Sequence, residues 1–460
     1  MLCVFIGLFI YLLPQPASLS IEAWKLLAIF IGTIFGLILR PLPMGATALV
    51  GLCIAIFTNT LDVKTQALTG FSSHVIWLIV MVFFIARAVI KTNFGIRIAY
   101  YFLSLVGSKT LYLGYAMSFA EMCLAPFIPS STARAGGVMF PIIKSISETL
   151  GSTPADGTEK KVGSFLIQVG FHANAITSAM FLTASAANLI AQSLAAQQGI
   201  EILWSNWFIA SCVPAMCSII LMPYLIYKLD PPQETELQNA TKIAQAQLKK
   251  LGPVSQKEKY MAGIFVVMLL LWAGETVFGI NATTVAFLGV SLCLLVNILD
   301  LDDIISEKEA WNTLLWLSIL FTMSTYLQKF GLISWMAGYL SALTQGFSPM
   351  SVLMILAFSY LYIHYFFAGN TTQVTSVYPA FLAVCIMSGA PPLLSALLLG
   401  FLSALYACLT HYATAAAPIY FAAGFVPVKT WWKVGFFISL LYVVCWFGIG
   451  MLWWKFLGLY

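Results

Sequence analysis

Charge is what this sequence has least of. Aspartate, glutamate, lysine and arginine make up 8% of 460 residues, against roughly 25% in a soluble domain, and that shortage excludes an ordinary soluble fold. Histidine is scarce too: His74, His172, His364 and His411 are the only four. Nine cysteines are scattered with no C-x-x-C spacing, so neither a disulfide framework nor a thiolate metal site has support. No H-E-x-x-H and no G-x-S-x-G is present. A membrane-embedded hydrolase would have to be built from Ser130 with His172 or His411, without any motif behind it.

What is abundant is apolar sequence. Hydrophobic residues reach 61%, and stretches near or above about 18 apolar residues recur along the chain, the length that crosses a bilayer. The net charge of +5 gathers between these runs, which reads as membrane orientation rather than as a nucleic-acid surface. Met1 to Leu13 is apolar and has no basic start, so a first membrane helix is expected rather than a cleaved signal peptide. The expected protein is an all-α, multi-pass protein of the cell membrane.

The chain repeats itself. Ser130-Ser131-Thr132, after Pro126 and Pro129, and Gly369-Asn370-Thr371, after Phe366-Phe367-Ala368, end two apolar runs with 371 − 132 = 239 between their threonines. Trp77 and Trp316 lie in two matching runs, and 316 − 77 = 239 again. Small polar interruptions at matching points of two halves are the best sequence pointer to a transporter's binding site. A second pair of breaks follows, Thr183–Asn188 and Ala413–Pro418, with 413 − 184 = 229. The ten residues of difference fit the polar loop Gly151–Lys161. The region 229–258, with six lysines counting Lys228 and Lys259 at its edges, reads as a cytoplasmic connection between the halves.

Proline ends helices and serine or threonine starts them. Each break is therefore a place where N–H groups at a helix start are free to hold an anion, with the irregular backbone buried or lining a wet cavity. The plainer alternatives are a tight turn at the membrane surface for the first pair and close helix packing through small residues for the alanine-rich pair. Arg134 stands two residues after Thr132, in a stretch otherwise free of charge from Glu121 to Lys144. A charge inside a membrane segment is a functional hypothesis by default, with snorkelling to an interface as its alternative. Glu121 either pairs with Arg134 or serves a helix contact. The histidines on the motif-bearing segments suggest a polar, proton-sensitive cavity.

At these residues the chain resembles the divalent anion:sodium symporter family, and within it the plastid 2-oxoglutarate/malate translocators and bacterial citrate/succinate exchangers. The phrases IWLIVMVFFIARA, PSSTARAGG, GFHANAITSAMFLTA, HYFFA and THYATAAAPIYFAAGF carry the likeness from about residue 70 to the C-terminus. The resemblance implies two inverted repeats with re-entrant hairpins and interrupted helices. It also implies a homodimer, and a transport domain that moves like an elevator against a scaffold. The expected division is scaffold 1–107, transport 108–228, linker 229–258, scaffold 259–347 and transport 348–460. It places a dicarboxylate between Ser130, Ser131, Thr132 and Gly369, Asn370, Thr371, with Ser185, Thr414 and Ala415 nearby. Ser131 stands where the family usually has Asn, and Gly369 where it has Ser, both positions of sodium sites. Sodium-independent exchange of C4/C5 dicarboxylates is therefore expected, with Arg134, His172 and His411 as fixed compensating charge and no cofactor or metal. The alternative is sodium symport, with Ser130, Ala184, Asn370 and Ala413 around the ion. A channel would need no repeated anion-binding break.

Overall fold

The computed structural model describes all residues except 1, 17, 40, 106–108, 127, 129, 238–239, 333–334, 336–337 and 339–345. The first half contains α1 (Leu2–Leu12), α2 (Ile21–Leu39), α3 (Met44–Phe57), α4 (His74–Lys91), the short α5 (Phe94–Ser104) and α6 (Thr110–Leu124). Next comes α7 (Ser131–Arg134), which runs through a π-helical turn (Ala135–Met139) into α8 (Phe140–Thr149), then α9 (Gly163–Met180), α10 (Ala186–Gln197) and α11 (Trp204–Leu229). The hydrophilic connection carries α12 (Ala240–Leu251). The second half contains α13 (Gln256–Ala273), α14 (Glu275–Phe278), α15 (Ala282–Leu295), α16 (Leu301–Ser306), α17 (Lys308–Lys329) and α18 (Pro349–Tyr362). It closes with α19 (Asn370–Met387), α20 (Pro392–Leu405), α21 (Ala417–Phe421), α22 (Val428–Tyr442) and α23 (Gly450–Phe456). Among the described residues no β-strand occurs, and four helical segments are long and apolar enough to cross a membrane.

The duplication seen in sequence is a duplication of helices. α6 and α18 start 349 − 110 = 239 residues apart, and α7 and α19 start 370 − 131 = 239 apart. Farther on, α9 and α20 start 392 − 163 = 229 apart. The segments expected at 95–106, 163–200 and 392–424 appear as α5, as α9 plus α10, and as α20 plus α21, with the expected breaks inside the last two. The expected short helix at 331–345 falls largely outside the described residues, as does Pro129.

The repeats are inverted. The end of α4 meets the segment that leads into α17: Lys91 pairs with Asp300 at 3.0 Å and with Asp303, and Arg87 lies 3.5 Å from Asp303. Since α17 is the counterpart of α4, the two run in opposite directions. The starts of the elements obey the same rule. Gly45 N at the start of α3 donates to Asn312 Oδ1 near the start of α17, at 3.1 Å. Its counterpart Thr283, at the start of α15, donates to His74 O at the start of α4, at 3.1 Å. The pairs α4–α15 and α3–α17 are thus one contact seen twice, and each half completes the packing of the other.

Candidate functional site

The first tip forms because α6 cannot run through Pro126. The helix restarts at Ser131, and Ser130 caps it, its Oγ accepting from Ala133 N at 3.1 Å. The second tip turns through a 3-10 segment, Ile363–Phe366, and an extended Phe367. Gly369 then adopts φ +104°, a region that side chains with a Cβ avoid, and α19 begins at Asn370, whose Oδ1 accepts from Thr371 N at 3.0 Å. The second breaks follow the same pattern. α9 stops at Met180, and Ser185 caps α10 by accepting from Ala187 N at 3.3 Å. In the other half Thr414 Oγ1 accepts from Ala417 N at 3.3 Å.

The four breaks converge. Ser131, Ser185, Asn370 and Thr414, one from each, line a single narrow cavity together with Phe171, Asn174, Ala175, Ser178, Ala404 and Ala407. Its walls include residues at three helix starts and a capping threonine, places where helix-start N–H groups and hydroxyls can serve an anion. Of the other expected residues, Ser130, Thr132, Gly369, Thr371 and Ala415 stand beside the cavity in sequence but not in its lining. Ser130 is spent as a cap and Ala415 faces outward. Asn174 and Ser178 went unread as site residues. Their signal was an i, i+4 polar pair on a helix otherwise made for burial.

Arg134 does not reach this cavity. It is fully buried, with its Nε 2.5 Å from Glu121 Oε1. Its other donors go to Ile128 O at 2.8 Å, Ala184 O at 3.2 Å and Ser178 Oγ at 2.9 Å. Glu121 Oε1 also accepts from Asn174 Nδ2 at 2.7 Å, and the same Nδ2 donates to Ser131 O at 3.2 Å. Arg134, expected as a charge facing the substrate, is thus placed beside Glu121 and outside the cavity lining. Its charge is cancelled by Glu121, and its hydrogen bonds tie the first tip to the break at Ala184. His172 is buried behind the cavity against Phe171, at 5.3 Å between rings. His411 is half-exposed and its Nδ1 accepts from Trp432 Nε1 at 3.2 Å. Neither lines the cavity, so both are set aside as charge donors to it.

The second half holds the matching brace. Gln373 stands at Arg134's position, 373 − 134 = 239. Its Nε2 donates to Tyr360 O at 2.7 Å, and its Oε1 faces His364 Nδ1 at 2.7 Å. His364 Nε2 faces Ala413 O at 3.0 Å. Flipping the amide would set its oxygen against Tyr360 O, two acceptors at 2.7 Å. With the amide as placed, both ring nitrogens of His364 face an acceptor oxygen. The ring stacks on Tyr406 with centroids 3.9 Å apart and planes 16° apart. Tyr406 in turn donates to Asn370 O at 2.9 Å. Among the described residues no carboxylate pairs with His364.

The whole chain, residues 1–460, matches the model of the sodium:sulfate symporter transmembrane region. It is 46% identical over 461 residues to a putative malate transporter, YflS, of Bacillus subtilis (strain 168), covering 100% of this chain and 96% of that one. It is 41% identical to the chloroplastic dicarboxylate transporter 1 of Arabidopsis thaliana, over 99% of this chain and 82% of that one. The L-tartrate/succinate antiporter of Escherichia coli (strain K12) is 35% identical, over 96% and 95%. Among solved structures, MtrF of Neisseria gonorrhoeae, described as an antimetabolite efflux pump, superposes with a TM-score of 0.57 at 12% identity, over 98% of this chain and 97% of that one. At that identity the likeness is one of fold.

Proposed function

The chain belongs to the sodium:sulfate symporter family, the divalent anion:sodium symporters its motifs resemble, and from that premise we propose that it exchanges one dicarboxylate for another without sodium. It is a multi-pass membrane transporter of dicarboxylates and not an enzyme. The finer reading rests on one observation: the backbone carbonyls a sodium ion would need are already engaged. Ala184 O accepts from Arg134 and Ala413 O from His364. A sodium ion on Ala413 O would share that oxygen with His364 Nε2, and against a doubly protonated ring about 4 Å away it would be repelled by about 4 kcal/mol at an effective dielectric constant of 20.

In the doubly protonated form that its two acceptor neighbours suit, His364 also gives a reason for exchange. A fixed charge inside a membrane protein is costly when uncovered. A bound dianion covers it; an empty site does not, so the empty carrier returns slowly and the loaded one quickly. The relevant residues for the substrate are Ser131, Ser185, Asn370, Thr414 and Asn174, with His364 as the fixed charge behind them. Free space within the cavity is ≈ 10 Å³, about one water, so a dicarboxylate enters when the two tips part.

An elevator movement of 108–228 and 348–460 against 1–107 and 259–347, in a homodimer, fits the seam between these parts. Where α2, α4 and α17 face α10 and α19, the seam is lined largely by Phe, Ile, Leu and Val. Most of that surface slides without stripping polar partners, and the ties to be broken are the hydrogen bonds from Gln197 Nε2 to Thr325 Oγ1 at 3.1 Å and from Gln328 Nε2 to Gln197 O at 2.9 Å. Uptake of labelled succinate or malate into proteoliposomes in sodium-free buffer tests the whole reading. Uptake into vesicles loaded with dicarboxylate, and little into empty ones, is expected. Sodium-driven uptake into empty vesicles would overturn it.

A further inference from the structure

The first three helices enclose a second cavity, remote from the tips, to which the transport reading gives no role. α1 and α2 run antiparallel in close contact: a Cβ on Gly7 would lie 3.1 Å from Ala28 O, and one on Gly32 3.2 Å from Cys3 O. α2 and α3 do the same, with Gly51 against Thr33 and Gly36 against Thr47. The glycines make a low floor, and the side chains rising beside it leave a groove of ≈ 530 Å³. Its walls are almost wholly apolar, Val4, Leu8, Ile29, Leu42, Val50 and Ile54 among them.

One end of the groove is different. Tyr11 at the end of α1, Lys25 in the second turn of α2 and Thr58 just past α3 all line it. The antiparallel registers bring these three together. Lys25 is half-buried, and among the described residues no ion pair or hydrogen bond engages its ammonium. Glu22, one turn away on α2, is exposed and makes no ion pair with it among the described residues. From Lys25 to Gly36 the groove extends for about 16 Å along α2 at 1.5 Å per residue, the reach of a fatty acyl chain. This end lies on the membrane face opposite the lysine-rich connection. α12 of that connection packs on α5, which follows the end of α4. The starts of α4 and α2 and the end of α3 lie on the other face.

A cation at the mouth and a long apolar slot beneath it match one class of membrane component. We propose that the groove between α1, α2 and α3 holds an anionic phospholipid, one acyl chain on the glycine floor and its phosphate against Lys25. The charge at the mouth selects an anionic over a zwitterionic headgroup, and the apolar walls exclude a free anion.

Native mass spectrometry of the full-length protein tests this, after delipidation and re-addition of phosphatidylglycerol or phosphatidylcholine. One phosphatidylglycerol retained per chain is expected, with at least ten-fold weaker retention of phosphatidylcholine. Lys25→Gln should abolish that preference. Val50→Trp fills the groove from an exposed position and should abolish retention of both lipids, while exchange activity reports that each variant is folded. Equal retention of the two lipids by the unmodified protein, or an undiminished preference in Lys25→Gln, overturns the proposal. So does conversion of a dimer to monomers by Val50→Trp, which would make the groove an interface between two copies of the chain.

Discussion

Replacing His364 by glutamine removes the charge proposed for it while keeping a side chain able to donate to Ala413 O. The ring lies 3.0 Å from Ala413 O, and the next residue, Thr414, lines the cavity. Adding one Cα–Cα step of about 3.8 Å puts the imidazolium about 7 Å from a bound carboxylate. At an effective dielectric constant of 20 that attraction is about 2 kcal/mol per carboxylate charge, close to 30-fold in affinity. His364→Gln is therefore expected to raise the KM for succinate or malate about 30-fold in sodium-free exchange. The decisive readout is a second one. The neutral empty site should return more readily, so the ratio of uptake into empty vesicles to uptake into loaded vesicles should rise. A merely structural role for His364 would lower both uptakes together and leave that ratio unchanged. An unaltered ratio, or an unaltered KM, refutes the charge placed on this residue.

Other perturbations separate bracing from binding. Arg134→Met strands the buried Glu121 carboxylate, and breaking a buried pair costs about 3–5 kcal/mol, so a large fall in Tm in detergent is expected. Adding Glu121→Leu should recover most of that fall without restoring exchange, since the tie from Arg134 to Ala184 O remains broken. Gly369→Ala forces a Cβ into φ +104° at a cost above about 1 kcal/mol. Exchange should drop sharply, whereas Ser130→Ala, the loss of a cap on the other tip, should cost only about 1 kcal/mol of stability. Ser185→Ala and Thr414→Ala remove one cavity hydroxyl each. Each should raise the KM several-fold with little change in Tm, and a pure stability effect would contradict their place in the lining.

Much of this was legible in the residues, because the features concerned are local. Helix-stopping prolines, capping serines and a fixed offset announce a break wherever they occur. The breaks that carry Ser131, Ser185, Asn370 and Thr414 are legible that way, and these four residues line one cavity. The depth of a side chain behind the break was not legible. Arg134 lies two residues past Thr132 whether it points into the cavity or away from it, and only the packing of α6 and α9 shows that Glu121 and Ser178 receive it. Asn174 was hidden for a related reason: α9 is buried on every side, so no periodicity distinguishes its cavity face from its packing face. His364 needed three dimensions as well, since its hydrogen-bond surroundings are set by Gln373, Tyr360 and Ala413, which come from three separate segments.

The brace behind each tip shows where the two halves stop being alike. At matched positions the first half has Glu121 and Arg134, the second Tyr360 and Gln373. The first pair carries opposite charges that cancel and the second carries none, so neither contributes net charge to the site. His364 corresponds to Ala125, since 364 − 125 = 239, and it is here that the second half adds an ionisable ring with no counterpart in the first. The donor geometry for a dianion is supplied nearly symmetrically by helix starts. In the proposed exchange cycle the penalty on an empty return is assigned to one imidazole, at a position where the other repeat has a methyl group. Sodium-free exchange, as proposed, would then hang on a single asymmetric substitution within a symmetric site. A variant that erases it should still bind dicarboxylates weakly while losing its requirement for a counter-substrate.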